Sequence, residues 1–229
     1  MKLSIASKKG AELRVIWNAD SRNEFRLALY ETMLETTGGK TKDLGMFPSI
    51  TLQNVGTGFR GSITQRGVTT QMEVWPEGET LLVKYTVTVS RNTGLLQIHP
   101  CLMTTYAPDY IGKRRGTDYC EMGNRIMLAM PETTALSRLG GDRHQAASRK
   151  GGWVAAWAWW VYARKRFTRS IVELRRRSGS RRVVIDGCAT THISSNMGDK
   201  RSCLHHFPQI GALAAGKSKT VTQRYRLLA

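Results

Sequence analysis

Five histidines, four cysteines and a dense set of arginines are the residues here whose types could do chemistry. Cys188 and His192 stand four apart, and Cys203 is followed by His205 and His206. Zinc sites pair their ligands at short, regular spacings, and neither group matches those patterns. No metal is expected; buried thiols and surface imidazoles are the plainer reading. No cluster of Asp and Glu suits two-metal chemistry. The stretch GKSKT (216–220) lacks the upstream glycines of a phosphate-binding loop, and no G-x-S-x-G elbow occurs. An enzyme built from these residues would work without a cofactor. It would place a 2′-hydroxyl in line and steady phosphate charge with Arg or Lys, helped by His or Tyr.

The charge points the same way. The chain has 229 residues, with 35 Lys and Arg against 17 Asp and Glu, a net +18. Residues 143–182 hold 12 of those cations, and Glu173 is their only acid. Lys and Arg that meet phosphates release counterions, so a polyanionic partner is expected. A solubility device is the alternative. At 41% hydrophobic residues the composition is that of a globular chain. The opening MKLSIASKKGAELRVIW has no apolar core of signal-peptide length, and WVAAWAWWVY is about half a bilayer span. A cytoplasmic protein with reduced thiols and no membrane partner is expected.

These side chains need elements to position them. ELRVIW (12–17) reads as a strand. Asp20 or Ser21 would cap a helix reaching about residue 36, because Phe25, Leu29 and Met33 recur at i+4 with Leu27 and Ala28 widening the stripe. FPSITL is a short extended piece. GFRGSITQRGVTTQMEVW and ETLLVKYTVTVS read as two strands around a turn at Pro76, Glu77 and Gly78. Val83, Tyr85, Val87 and Val89 fall on one face of the second. This β-α-β-β-β order is an α+β pattern with an antiparallel sheet.

From about residue 109 the strand signals fade. RRGTDYCEMGNRIMLAM is a weak helix candidate. One long helix is expected over 153–177, roughly 37 Å at about 1.5 Å per residue. Trp153, Trp157, Trp160, Phe167, Ile171 and Leu174 would form its apolar stripe, with Lys165, Arg169 and Arg176 on another face. The tryptophans would pack on the body, or stack on unpaired bases. VVIDGCA then reads as a strand, and the tail as a glycine-bearing loop before a terminal strand. The expected organisation is a body over 1–108, a basic helical insertion over 109–182 and a return to the body over 183–229.

Three stretches carry a family resemblance: FPSITLQNVGTGF (47–59), LLVKYTVTV (81–89) and GALAAGKSKTVTQRYRLL (211–228). Together they resemble the RAMP superfamily, in particular the CRISPR repeat-processing endoribonucleases of the type IV branch. The tail departs from that pattern at Thr220, Thr222 and Gln223, where glycine or an aromatic is common. The resemblance implies a ferredoxin-like (RRM-like) sheet body and metal-free cleavage of a repeat hairpin. It also implies continued residence in a ribonucleoprotein for antiviral defence. Structured RNA, companion subunits of the effector complex and, through the complex, target DNA would be the partners. By position Arg22 matches a catalytic arginine, and Tyr30 is a second candidate. His99, in LLQIHP, is proposed as catalytic from the residues alone. Each has a plainer reading: a surface charge, a core ring and an exposed loop imidazole. Arg164, Lys165, Arg166, Arg169, Arg175, Arg176, Arg177, Arg181 and Arg182 would bind RNA, as would Lys217 and Lys219. Two alternatives stay open: a non-catalytic RNA-binding scaffold subunit, and a DNA-binding protein of a mobile element.

Overall fold

Every regular element among the described residues is a β-strand, twenty in all. The computed structural model describes residues 1–17, 24–105 and 208–228, and between them the strand segments that fall within 125–206. The chain divides into two units, Met1–Cys101 with Phe207–Arg224, and Leu102–His206 with Tyr225–Ala229.

In the first unit β1 (Lys2–Ser7), β2 (Glu12–Ile16), β3 (Glu24–Thr37) and β9 (Leu95–Thr105) are neighbours in that order. β4 (Lys40–Asp43) pairs with β3, and β19 (Gln209–Gly211) with β9. A second sheet runs β20 (Ser218–Leu228), β8 (Thr80–Val89), β7 (Val68–Glu77), β6 (Gly58–Gln65), β5 (Gln53–Val55). The two sheets pack face to face. Buried Tyr85 on β8 donates its hydroxyl to the Leu29 carbonyl at 2.9 Å, and Tyr30 on β3 donates to Gln65 Oε1 at 2.9 Å. Val83, Val87 and Val89 share the inner face with Tyr85, opposite Met72 and Val74 of β7. That is the alternation the sequence announces. The β6–β7 hairpin turns on Arg66 and Gly67, both at positive φ (48° and 78°), a geometry matched to the right-handed twist of its strands.

The helix expected from residue 21 to 36 is instead β3. The i+4 recurrence of Phe25, Leu29 and Met33 also satisfies a period of two, and Leu27 supplies the missing step. Every residue of β3 from Leu27 to Met33 is buried, so polar–apolar alternation is erased and periodicity alone cannot tell strand from helix.

The second unit is also built from strands. β18 (Arg201–His206), β17 (Ile193–Met197), β14 (Val161–Ala163) and β11 (Leu139–Gly140) are neighbours in that order. So are β12 (His144–Lys150), β13 (Trp153–Ala158), β10 (Arg125–Ala129), β15 (Ile171–Arg175) and β16 (Arg182–Asp186). The long helix expected over 153–177 is therefore replaced by β13, β14 and β15. Trp, Val, Ile and Tyr are weak helix formers that suit a pleated surface. Lys150 pairs with Trp153 across Gly151-Gly152, a two-residue hairpin signal in the sequence. The α+β ferredoxin-like body with a basic helical subdomain is thus overturned, since every element among the described residues is a strand. Among the described residues no helix is long and apolar enough to cross a membrane.

Candidate active site

Glu31 and His99 lie 68 positions apart in the sequence and meet where β3 and β9 run side by side. His99 Nε2 stands 3.8 Å from Glu31 Oε2, with their side chains 11% and 8% exposed. Gln97, two residues before His99 and so on the same face of β9, is buried as well. Burial pushes the His99 imidazole down to about 4, so it is neutral at ordinary pH.

The backbone around Glu31 is shaped for it. Successive amides of β3, Leu29 and Tyr30, donate to the Ala11 and Gly10 carbonyls at 3.3 and 3.0 Å. These bonds carry the β2–β3 register on past the end of β2, to Gly10. Gly10 (φ 63°) and Ala11 (φ 50°) lie opposite; a Cβ at Gly10 would stand 3.1 Å from the Tyr30 carbonyl oxygen. On the far edge the Phe47 amide donates to the Glu31 carbonyl at 2.6 Å. Phe47 is exposed and holds φ at 47°. Three non-glycine residues among those described have positive φ, and two of them, Ala11 and Phe47, hydrogen-bond to the 29–31 stretch of β3. Such strain persists where the surroundings enforce it.

An ion pair pins the approach from β8 to β9. Arg91 donates to both Glu35 oxygens at 2.9 and 2.7 Å, and the Gly94 amide donates to Oε1 at 3.0 Å. These bonds, the guanidinium's first, hold the Glu35 carboxyl down at about 2.

Among the described residues singled out from the sequence, His99 is the one that meets a buried carboxyl, and it lies within β9, not on an exposed loop. Tyr30 is a core residue: burial holds its phenol far above the ordinary value, and its hydroxyl is committed to Gln65. Arg22 lies outside the described residues, as do Arg164, Lys165, Arg166, Arg169, Arg176, Arg177 and Arg181. Arg175 and Arg182 pair with each other across β15 and β16, which is all that is described of them. Lys217 sits on the exposed turn before β20, and Lys219 Nζ donates to the Ile210 carbonyl at 2.7 Å. Cys188 and His192 lie outside the described residues, while Cys203, His205 and His206 fall in β18, whose side chains are not described. Among the described residues no three His, Cys, Asp or Glu gather as metal ligands. Sequence reasoning missed Glu31, because the helical reading of 21–36 gave it no partner on a neighbouring strand.

No protein-family model and no curated protein matches the sequence. Solved structures do match the fold. A galactose mutarotase-like protein from Lactobacillus casei superposes with a TM-score of 0.62 at 12% identity, covering 99% of both chains. A galactose mutarotase related enzyme from Lactobacillus acidophilus gives 0.54 at 10% identity, over 97% of this chain and 93% of that one. A putative aldose 1-epimerase from Escherichia coli gives 0.53 at 10% identity, over 85% and 78%. The class these likenesses define is a fold class: the strand-rich architecture of mutarotase-like proteins. The resemblance to RAMP nucleases is thereby corrected, since these neighbours are mutarotase-like and neither a ferredoxin-like body nor a helical insertion appears among the described residues. The CRISPR endoribonuclease reading falls with it, and neither the RNA scaffold nor the DNA-binding alternative finds support in these neighbours.

Proposed function

We propose that this protein acts on a free aldose, interconverting its anomers with Glu31 and His99 as the proton-transferring pair. The observation that carries the reading is that pair, enclosed between β3 and β9 in a fold shared end to end with a mutarotase-like protein. Anomer exchange needs two proton transfers at neighbouring oxygens. One group takes the proton of the C1 hydroxyl while the other gives a proton to the ring oxygen. The C1–O5 bond breaks, the open aldehyde turns about C1–C2, and closure on the opposite face reverses both transfers. No atom or electron is gained or lost, so an imidazole and a carboxyl suffice. Gln97, on the same strand face as His99, suits a hydroxyl-orienting role. A cytoplasmic location belongs to the same reading.

The test is polarimetry or NMR exchange on freshly dissolved galactose, glucose and other free aldoses, measured against buffer. Acceleration that disappears in both Glu31→Gln and His99→Gln supports the assignment. A rate equal to buffer for every aldose sinks it.

A further inference from the structure

The outer face of β5, β6, β7, β8 and β20 plays no part in the site above, yet it is built unlike an ordinary solvated sheet. Two contiguous grooves lie on it and share Arg60 and Glu73. The larger, about 690 Å³, is polar, with Gln53, Ser62, Gln71 and Thr86 among its lining residues. The smaller, about 260 Å³, has Val55 and Trp75 among its lining residues. Registers explain the arrangement. Gln53 pairs with Arg60, Arg60 with Glu73, and Glu73 with Lys84, forming one row across four strands. The next row is Ser62, Gln71 and Thr86, extended by a Thr86–Thr220 hydroxyl contact at 3.0 Å. On the other side stands Trp75, against the backbone at Gly58, where any Cβ would overlap the Val74 carbonyl.

We propose that this face binds an acidic polysaccharide strand, a polyuronate or its like, independently of the Glu31–His99 site. A pyranose ring has an apolar face and an equatorial rim of hydroxyls. An aromatic wall beside a row of amides and hydroxyls meets both. The row from Gln53 to Lys84 crosses three inter-strand gaps, about 14 Å at roughly 4.8 Å each, which suits a length of chain better than one ring. Charge selects the acidic class. Arg60 and Lys84 both engage Glu73, at 2.5 and 2.6 Å, so two cations share one carboxylate and a positive charge is left over. Their side chains are 57% and 39% exposed, within reach of a ligand. Arg60 binds one oxygen of Glu73 through Nε and one terminal nitrogen, and a guanidinium has five N–H donors in all. A uronate carboxylate can therefore dock without displacing Glu73.

The experiment is calorimetric titration of the purified full chain with an oligogalacturonide, a neutral galactan oligomer of equal length, and polyphosphate of matched charge. The oligogalacturonide should bind at least about tenfold tighter than the neutral oligomer, the scale of one charged hydrogen bond. Arg60→Gln, on an exposed side chain, and Trp75→Ala should each weaken it by about tenfold, with the aldose exchange rate unchanged. Three results would overturn the proposal. They are no binding of the oligogalacturonide, binding untouched by Arg60→Gln, and polyphosphate binding as tightly as the oligogalacturonide. The last would mean that the chain's net charge, not a sugar-shaped groove, does the holding.

Discussion

Glu31 with His99 and Arg60 with Glu73 and Lys84 are two polar clusters of one unit, and they obey opposite rules. The first is enclosed between neighbouring strands, and desolvation dominates it: the imidazole is driven to about 4. The second lies on an outer sheet face, where Lys84 first and then Arg60 hold the Glu73 carboxyl below its ordinary value. Water screens the second, so its ion pairs add little to stability and remain available to a ligand. Burial of the first strips water from two polar groups, which costs solvation free energy. The contrast separates a desolvated pair from a solvated cluster, which is the basis for proposing different roles for the two.

The sharpest way to break the comparison is to remove the buried pair. His99→Gln or Glu31→Gln should lower the aldose exchange rate by about 10²–10⁴-fold, the range of one general acid or base. Loss below threefold in both would make the pair structural.

A pH titration of stability comes next. The folded pKa of His99 is depressed from 6.5 to about 4, so the unfolded chain takes up its proton first as pH falls. Its contribution is whole above pH 6.5 and is lost as pH falls toward 4, by at most about 3 kcal/mol. Denaturant unfolding at pH 7 and pH 4.5 should show that loss in the native chain and much less of it in His99→Gln.

Glu35 gives a smaller effect in a different window. Its folded pKa near 2 lies below the ordinary 4.5, so its contribution is complete above 4.5 and is lost as pH falls toward 2. Glu35→Gln should cost about 2 kcal/mol at pH 7, read from the urea midpoint, because it strips a charged partner from Arg91. A change below 0.5 kcal/mol, by the same scale, would show that the pair is solvated like the outer one. Smallest of all, Glu73→Gln should alter stability by less than about 1 kcal/mol. A larger loss would place the outer cluster among the structural contacts and weaken its role as a recognition surface.

The β7–β8 hairpin could be read from the sequence because one face is buried and the other wet, so alternation survives. β3 could not, because both of its faces are buried around Glu31 and its apolar run fits either period. The Trp-rich stretch misled for a related reason: Trp153 and Trp157 stand four apart, a spacing that fits a helix turn and an even strand step alike. Of the proposed site, one member had been singled out in the sequence. His99 stood out as an imidazole at the end of a strand-like run, while its partner was a glutamate 68 residues away.

The sequence by itself determined the net +18, the strong alternation of β8 and the turn chemistry of Gly78, since these depend on composition and local backbone preference; the hairpin at Arg66-Gly67 splits a stretch that reads as one strand. Only the tertiary structure decided that β3 is a strand, that Glu31 meets His99, and that Gln53, Arg60, Glu73 and Lys84 form one row. Strand pairing joins residues distant in the chain, and no local pattern encodes which edge a strand will find.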